Sequence, residues 1–331
     1  MEKGIRYKDF LRQVEDRIID YMPQKFKDYK AHVEEISIDD GKIEILGLLK
    51  EGAPAVPGMS LKKYFREFLL CWDMDKILKE IADDYRKLDI EMRVELETGR
   101  KVTEKEMELF DFNNVRDKIC YRLMSYEENR EFLEVALHRR CLDFAKVYYV
   151  LEEERDTGFS YRCIPEAMLE EWGVTINEID KASSKNTPKF FPPALYEGEE
   201  LSASFLGGPA APNYLNAEEL PETRAFYVLT NERNALGAAT LMYPEVLQQI
   251  WDMMGKDYYV IPVCTEEVLI MSKESVGNNE KFLHDRLITG NKMLPDKHLL
   301  SNMVLEYTNE DLMLQPIQLY EKVSKKKDYE R

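Results

Sequence analysis

Leu142–Cys163 reads LDFAKVYYVLEEERDTGFSYRC. Its first half, Leu142–Leu151, is rich in Val, Tyr and Phe, the residue types that fit a pleated, half-buried surface. Asp156-Thr157-Gly158 then turns the chain into a partner strand around Phe159–Cys163. A strand joined to its neighbour by so short a turn pairs antiparallel, because a parallel crossover needs a dozen or more residues. The same device recurs on both sides. Upstream, Val33, Ile36 and Ile38 lead into Asp39-Asp40-Gly41, and Ile43, Ile45 and Leu46 come next. Asp-Gly supplies the positive φ that a tight hairpin needs. Downstream, Tyr258–Val263 and Glu267–Met271 flank another short turn.

Helical patterns separate these pairs. Phe10, Leu11, Val14 and Ile18 recur at helical spacing within Tyr7–Met22, and Pro23 stops that helix. Ser60 is the expected N-cap of a helix through Leu61–Leu70. Asp73 or Asp75 starts another, carrying Ile77, Leu78, Ile81 and Tyr85 on one face, and Thr98-Gly99 favours a break in it. Glu127–Ala136 reads as helix and Pro165 as a first-turn proline. Trp172-Gly173 reads as a helix end. Asn186–Pro193, NTPKFFPP, is expected to be irregular, and Leu206–Pro221 to be a loop. The sum is an α+β fold: mixed, largely antiparallel sheet segments with packed helices and long Pro/Gly loops. The chain then divides into three regions, a helix–hairpin–helical part over 1–115, a central α+β part over 116–205 and a C-terminal α+β part over 206–331. The latter two are able to form one domain if strands on either side of 200–222 share a sheet.

The chain has 331 residues, 46 Lys plus Arg and 63 Asp plus Glu, for a formal charge of −17. That balance disfavours nucleic acid and anionic membrane surfaces as partners. Residues 151–200 hold 12 acids against 5 bases, opening with Glu152, Glu153 and Glu154. Such a face is either simply solvated or docks a basic partner. Five cysteines, none closer than the 21 positions between Cys120 and Cys141, form no metal knuckle and fit reduced thiols of a cytoplasmic protein. No apolar run approaches a membrane span, and the N-terminal stretch lacks the apolar core of a signal peptide.

Two segments invite a chemical reading. In His138-Arg139-Arg140-Cys141, a helix end would place His138 and Cys141 on one face, as a thiol and its base require, while Arg139 and Arg140 could lower a thiol pKa or grip an anion. The competing reading begins a buried strand at Cys141 and pairs the arginines with acids such as Glu131 or Glu134. In Thr230–Ala239, TNERNALGAA, a strand passes through a polar turn into a helix opened by small residues. Asn231, Asn234 and the N–H groups near Gly237 could hold a phosphate or carboxylate. Alternatively, Gly237, Ala238 and Ala239 only let the helix lie close to the sheet. His32, His138, His284 and His298 show no ligand spacing, so neither a metal nor a cofactor is expected. Ser202 and Ser204, read as loop residues, lack an evident base. Phe190, Phe191 and Tyr196, beside Pro192 and Pro193, form either a docking surface or loop packing.

The blocks His138–Asp143 with Val147-Tyr148-Tyr149, Ala182–Pro193, Tyr227–Asn231, Gly237–Pro244, Tyr258–Pro262, Glu267-Val268 and Leu299-Leu300-Ser301 resemble, in order, a family of uncharacterised bacterial proteins classed as a domain of unknown function. The likeness covers about Lys8–Tyr307. It departs at Pro262-Val263-Cys264-Thr265, where relatives read as a Pro-Ser-Ser-type strand end. The resemblance implies a globular bacterial protein and brings no activity, cofactor or catalytic residue. The sequence therefore leaves two readings. The first is a non-enzymatic interaction or regulatory protein with an acidic surface and a protein partner. The second is an enzyme or a binder of a small anionic ligand, using Arg139/Arg140 and Asn231–Gly237.

Overall fold

The structure, a computed structural model, describes residues 6–38, 41–52, 56–155, 158–221, 226–243, 245–277, 279–295, 298–311 and 313–317. Asp39-Asp40, Asp156-Thr157, Pro244 and Lys325–Lys327 lie outside the described residues. In chain order the elements are α1 (Tyr7–Arg17), β1 (Lys30–Ile38), β2 (Gly41–Leu49), β3 (Met59–Ser60), α2 (Lys62–Cys71), α3 (Met74–Thr98), α4 (Glu104–Glu108), α5 (Phe112–Val115), β4 (Ile119–Ser125), α6 (Arg130–Leu133), β5 (His138–Cys141), β6 (Phe144–Arg155), β7 (Gly158–Cys163), α7 (Met168–Trp172), α8 (Ile176–Phe190), β8 (Pro193–Glu197), α9 (Gly198–Phe205), β9 (Tyr227–Asn231), α10 (Val246–Met254), β10 (Tyr258–Ile261), β11 (Val268–Ser272), α11 (Lys273–Val276), α12 (Glu280–Asn291), β12 (Leu305–Tyr307) and β13 (Leu314–Pro316). The fold is α+β, with three largely antiparallel sheets. It divides into two compact units, Met1–Val115 with Ala167–Thr175, and Arg116–Glu166 with Ile176–Arg331.

In the first unit β1, β2 and β3 form an antiparallel sheet. Phe10, Val14 and Ile18 from α1 and its 3₁₀ extension pack with Leu46 and Leu48 of β2 and with Ile77, Leu78 and Ile81 of α3 in one buried cluster. Each such side chain contributes about 1.5–3 kcal/mol when fully removed from water. Asp73 caps α3 by accepting from the Lys76 N–H at 3.0 Å, and Gly99, at φ 68°, ends it in the left-handed conformation. Ser60 is not the cap of α2: it lies in β3, and Leu61 holds the capping position without a side-chain bond.

In the second unit β8–β13 form a six-stranded sheet in the order β13-β12-β10-β11-β9-β8. Because β8 pairs with β9 across the 198–226 connection, the Pro/Gly-rich stretch joins two strands of one sheet. The second sheet centres on β6, flanked by β4 on one edge and by β5 and β7 on the other. Three expectations are corrected here. The Glu127–Ala136 helix shrinks to α6, a single turn. Pro165 pairs with Ala136 in an isolated bridge, and α7 begins only at Met168. NTPKFFPP is helical as far as Phe190, with Pro188 inside α8. Tertiary bonds hold that last turn: the Asn186 side chain donates to the Arg116 and Ile119 carbonyls at 2.9 and 3.0 Å, and Thr187 Oγ1 accepts from the Tyr121 N–H at 3.1 Å. These bonds offset the helical donor that a proline lacks.

Candidate functional site

Side chains two apart on a strand share a face. On β6, Lys146 and Tyr148 therefore point the same way. Arg139 of β5 stands opposite Lys146, and Tyr121 of β4 stands opposite Tyr148. Helix α8 covers this face with Asp180 and Ser184, one turn apart. The Lys146 ammonium donates to Asp180 Oδ1 at 2.6 Å and to Ser184 Oγ at 3.1 Å, and sits 4.0 Å from the Tyr121 ring centroid. The Tyr148 hydroxyl donates to the same Asp180 oxygen at 2.8 Å. Burial would raise the Asp180 carboxyl, but the Lys146 and Tyr148 hydrogen bonds hold it below its usual value. Burial and then the Asp180 bond push the Tyr148 phenol up. Arg139 Nη2 donates to Asn177 Oδ1, while its Nε is buried without a partner.

This geometry separates the HRRC residues. β5 is a strand, so His138 and Cys141, three apart, lie on opposite faces, and the helix-end pairing of thiol and base is overturned. His138 and Arg140 share the other face with Tyr126. The Arg140 guanidinium lies 4.4 Å from that ring's centroid, and His138 Nδ1 lies 2.9 Å from the Ala136 carbonyl. Arg139 reaches Asn177 and Arg140 stacks on Tyr126, rather than pairing with Glu131 or Glu134. Cys141 is raised by burial, with Lys146 and Arg139 opposing too weakly to reverse it. Burial likewise pushes Cys163 to about 11 and Cys120 to about 12. None of these three is a low-pKa thiol of the kind a nucleophile needs.

The TNERNALGAA turn has its own partners. Asn231, fully buried at the end of β9, donates from Nδ2 to the Ala235 carbonyl at 2.6 Å and accepts at Oδ1 from the Arg233 N–H at 3.0 Å. Asn234 and Leu236 take positive φ, 50° and 58°. The Leu236 N–H, aimed where an anion would sit, donates instead to Glu266 Oε2 at 2.6 Å. The turn runs into a six-residue 3₁₀ segment, Gly237–Met242, rather than the expected α-helix. A β-carbon on Gly237 would collide with the Glu266 carbonyl and the Thr230 hydroxyl, so glycine is required by close packing. Arg139 and Asn231 thus stand on different sheets, each bonded to its own surroundings. Ser202 and Ser204 lie in α9, not a loop, and donate to the Gly198 and Leu201 carbonyls at 2.7 Å. Phe191 is buried against Phe159.

A second charged cluster, in the helical unit, carries no signal in the sequence. Glu171 of α7, only 5% exposed, accepts from Lys25 Nζ at 2.6 Å and Arg93 Nη2 at 2.7 Å. Asp89 accepts from the same two cations at 2.9 and 3.1 Å. Burial alone would raise Glu171, yet Lys25 and Arg93 hold it below its ordinary value. Arg86 Nε lies 3.5 Å from Glu171 Oε1, within ion-pair reach but outside hydrogen-bond geometry, so both atoms are buried without a hydrogen bond. Lys25 and Glu171 stand 146 positions apart, too far for any local pattern to reveal them.

A family model described as a family of unknown function, DUF5688, matches residues 7–309. The chain belongs to DUF5688. No curated protein and no solved structure matches it. Two of the sequence blocks that resemble a family pattern meet in this DUF5688 chain: Ser301 Oγ donates to the Asp143 carboxylate at 2.8 Å, and the Asn302 N–H donates to Asp143 Oδ2 at 3.0 Å. Among the described residues of the DUF5688 chain, no group of three or more His, Cys, Asp or Glu is arranged to hold a metal ion, and no helix is long and apolar enough to cross a membrane.

Proposed function

We propose that this chain is a bacterial, cytoplasmic interaction or regulatory protein, non-enzymatic, that meets a protein partner through its acidic surface. The observation carrying this reading is internal satisfaction: Lys146 and Tyr148 both donate to Asp180, and the Leu236 N–H is held by Glu266. A catalytic group must keep donors, acceptors or a suitable pKa for its substrate. These groups direct theirs into the fold, where they fix α8 to its sheet and the 231–237 turn to the Thr265–Glu266 turn before β11. The net charge of −17 supports a partner with a basic face. The test combines affinity recovery with a metabolite screen. Recovery of a defined partner whose binding weakens with salt is expected. Turnover of any metabolite by the purified chain, with no partner at any salt, would end the proposal.

One observation favours the second reading, a small-anion binder: the buried Arg139 Nε has no acceptor. Thermal-shift titration with phosphate and with citrate tests it, the expectation being a stabilisation that Arg139→Gln abolishes. A flat response rejects it.

A further inference from the structure

We infer that an acidic groove in the helical unit docks a basic, arginine-bearing segment of a partner protein, an inference that rests on the interaction reading above. Two hollows meet along α3 at Asp83 and Arg86. One, of about 460 Å³, is walled by Ile90, Met107 and Phe110 and rimmed by Glu104, Glu108 and Asp111. The other, of about 400 Å³, is formed by Tyr21, Pro23, Gln24, Glu171 and Trp172. Each is of the size that takes one large side chain or a compact ligand.

Charge decides the occupant. The two bases on the walls are already engaged: Lys87 pairs with Asp84 at 3.6 Å, and Arg86 donates to the Phe110 carbonyl beside its contact with Glu171. The carboxylates of Asp83, Glu104 and Glu108 are exposed and have no ion-pair partner among the described residues. Glu171 lines the second hollow, but its oxygens already face Lys25, Arg93 and Arg86, so the carboxylates left to a partner are those of Asp83, Glu104 and Glu108. Trp172 supplies the remaining element. Its indole N–H is fixed to the Leu109 carbonyl at 2.9 Å and its ring packs 5.8 Å from Phe112, so a rigid aromatic wall stands beside the carboxylates. A guanidinium is the group that both stacks on such a ring and bonds carboxylates with a planar fork. A carboxylate or phosphate ligand would instead face Asp83, Glu104, Glu108 and Asp111 together.

Fluorescence anisotropy of a fluorescein-labelled hexa-arginine peptide, titrated with the full chain, tests this. The groove variant is Asp83→Asn with Glu104→Gln and Glu108→Gln, all exposed positions whose replacement leaves the core untouched. The control removes equal charge elsewhere, with Glu34→Gln, Glu199→Gln and Glu310→Gln. Saturable binding that the groove variant weakens at least ten-fold and the control less than two-fold supports the inference. Equal weakening by both variants, which marks a diffuse charge effect, overturns it, as does the absence of saturable binding. A partner recovered by the chain that hexa-arginine fails to displace also overturns the groove, while leaving the interaction reading intact.

Discussion

Asp143 and Ser301, 158 positions apart, are joined by a hydroxyl that lies 2.8 Å from both carboxylate oxygens. Ser301 is 1% exposed, and Asp143 also receives the Asn302 N–H at 3.0 Å. The turn between β5 and β6 is thereby tied to the segment that leads into β12. Nearby, the Ser125 N–H donates to the Leu299 carbonyl at 3.3 Å.

Asp143→Ala strips the acceptor from a buried hydroxyl and a backbone N–H at once. Leaving such donors unpaired costs about 1–3 kcal/mol. The urea midpoint should fall with an unchanged slope, and Asp143→Asn, which keeps one oxygen, should recover part of the loss. An Asp143→Ala midpoint equal to the wild type would mean that the contact contributes nothing to stability.

Lys146 and Asp180 form a pair in which one side chain is 8% exposed and the other 32%. Removing one partner of a buried pair strands the other charge, at a cost of about 3–5 kcal/mol when both are fully buried. Because Asp180 retains a third of its exposure, Lys146→Met alone is expected toward the lower end of that range. Lys146→Met combined with Asp180→Leu should lose markedly less than the two single variants added together. A double-mutant cycle in urea measures the coupling, and strict additivity would show that the two charges act independently.

Acid should unfold the chain through the same carboxylates. Glu171 and Asp180 are held below their ordinary values of 4.5 and 3.8. A group with a lowered folded pKa gives stability that is present above its unfolded pKa and is lost as pH falls through its folded pKa. Glu267 works in the opposite sense: burial, then Glu266, raises it above 4.5, so its protonation favours the folded state as pH falls. Urea midpoints are therefore expected to be steady near pH 6–7 and to decline below about pH 4.5. Glu171→Gln should lower the plateau and flatten the decline. A Glu171→Gln profile parallel to the wild type would separate this network from acid unfolding.

The hairpins were legible because period-two alternation and Asp-Gly turns are local signals, and they sufficed for the fold class. The Pro-Pro pair at 192–193 concealed β8, since a proline at the first position of a strand reads as a breaker until its neighbour β9 is known. Pro188 concealed the end of α8 because the bonds that rescue it come from β4 and the segment before it. At the site, Arg139 was legible as a cation, in a segment that reads either as a helix end or as the lead into a strand at Cys141. Its placement beside Cys141 and away from His138 depended on whether the period was 2 or 3.6, a choice made by pairing with β6. Lys146, interrupting an apolar strand and succeeded two positions later by Tyr148, was the one local sign of the buried cluster.

Two glycines set the last prediction, because one requires its residue type and the other does not. Gly237 begins the 3₁₀ segment with its α-carbon pressed against the Glu266 carbonyl and the Thr230 hydroxyl. The Thr230 hydroxyl in turn donates to that same carbonyl at 2.8 Å, so neither atom is free to withdraw. Gly237→Ala must push β9 away from the Thr265–Glu266 turn. The expected destabilisation is about 1–3 kcal/mol or more, the range of overpacking in a filled interior. Gly290, in the last turn of α12, has open space where a β-carbon would stand. There alanine removes backbone freedom from the unfolded chain and adds helix propensity, so Gly290→Ala should stabilise by about 0.5–1 kcal/mol. Thermal unfolding of both variants gives opposite shifts if contact at Gly237 is the reason for glycine there. A Gly237→Ala midpoint at or above the wild type would mean that the turn relaxes away from Glu266 without loss, and that its tight seat has no energetic weight.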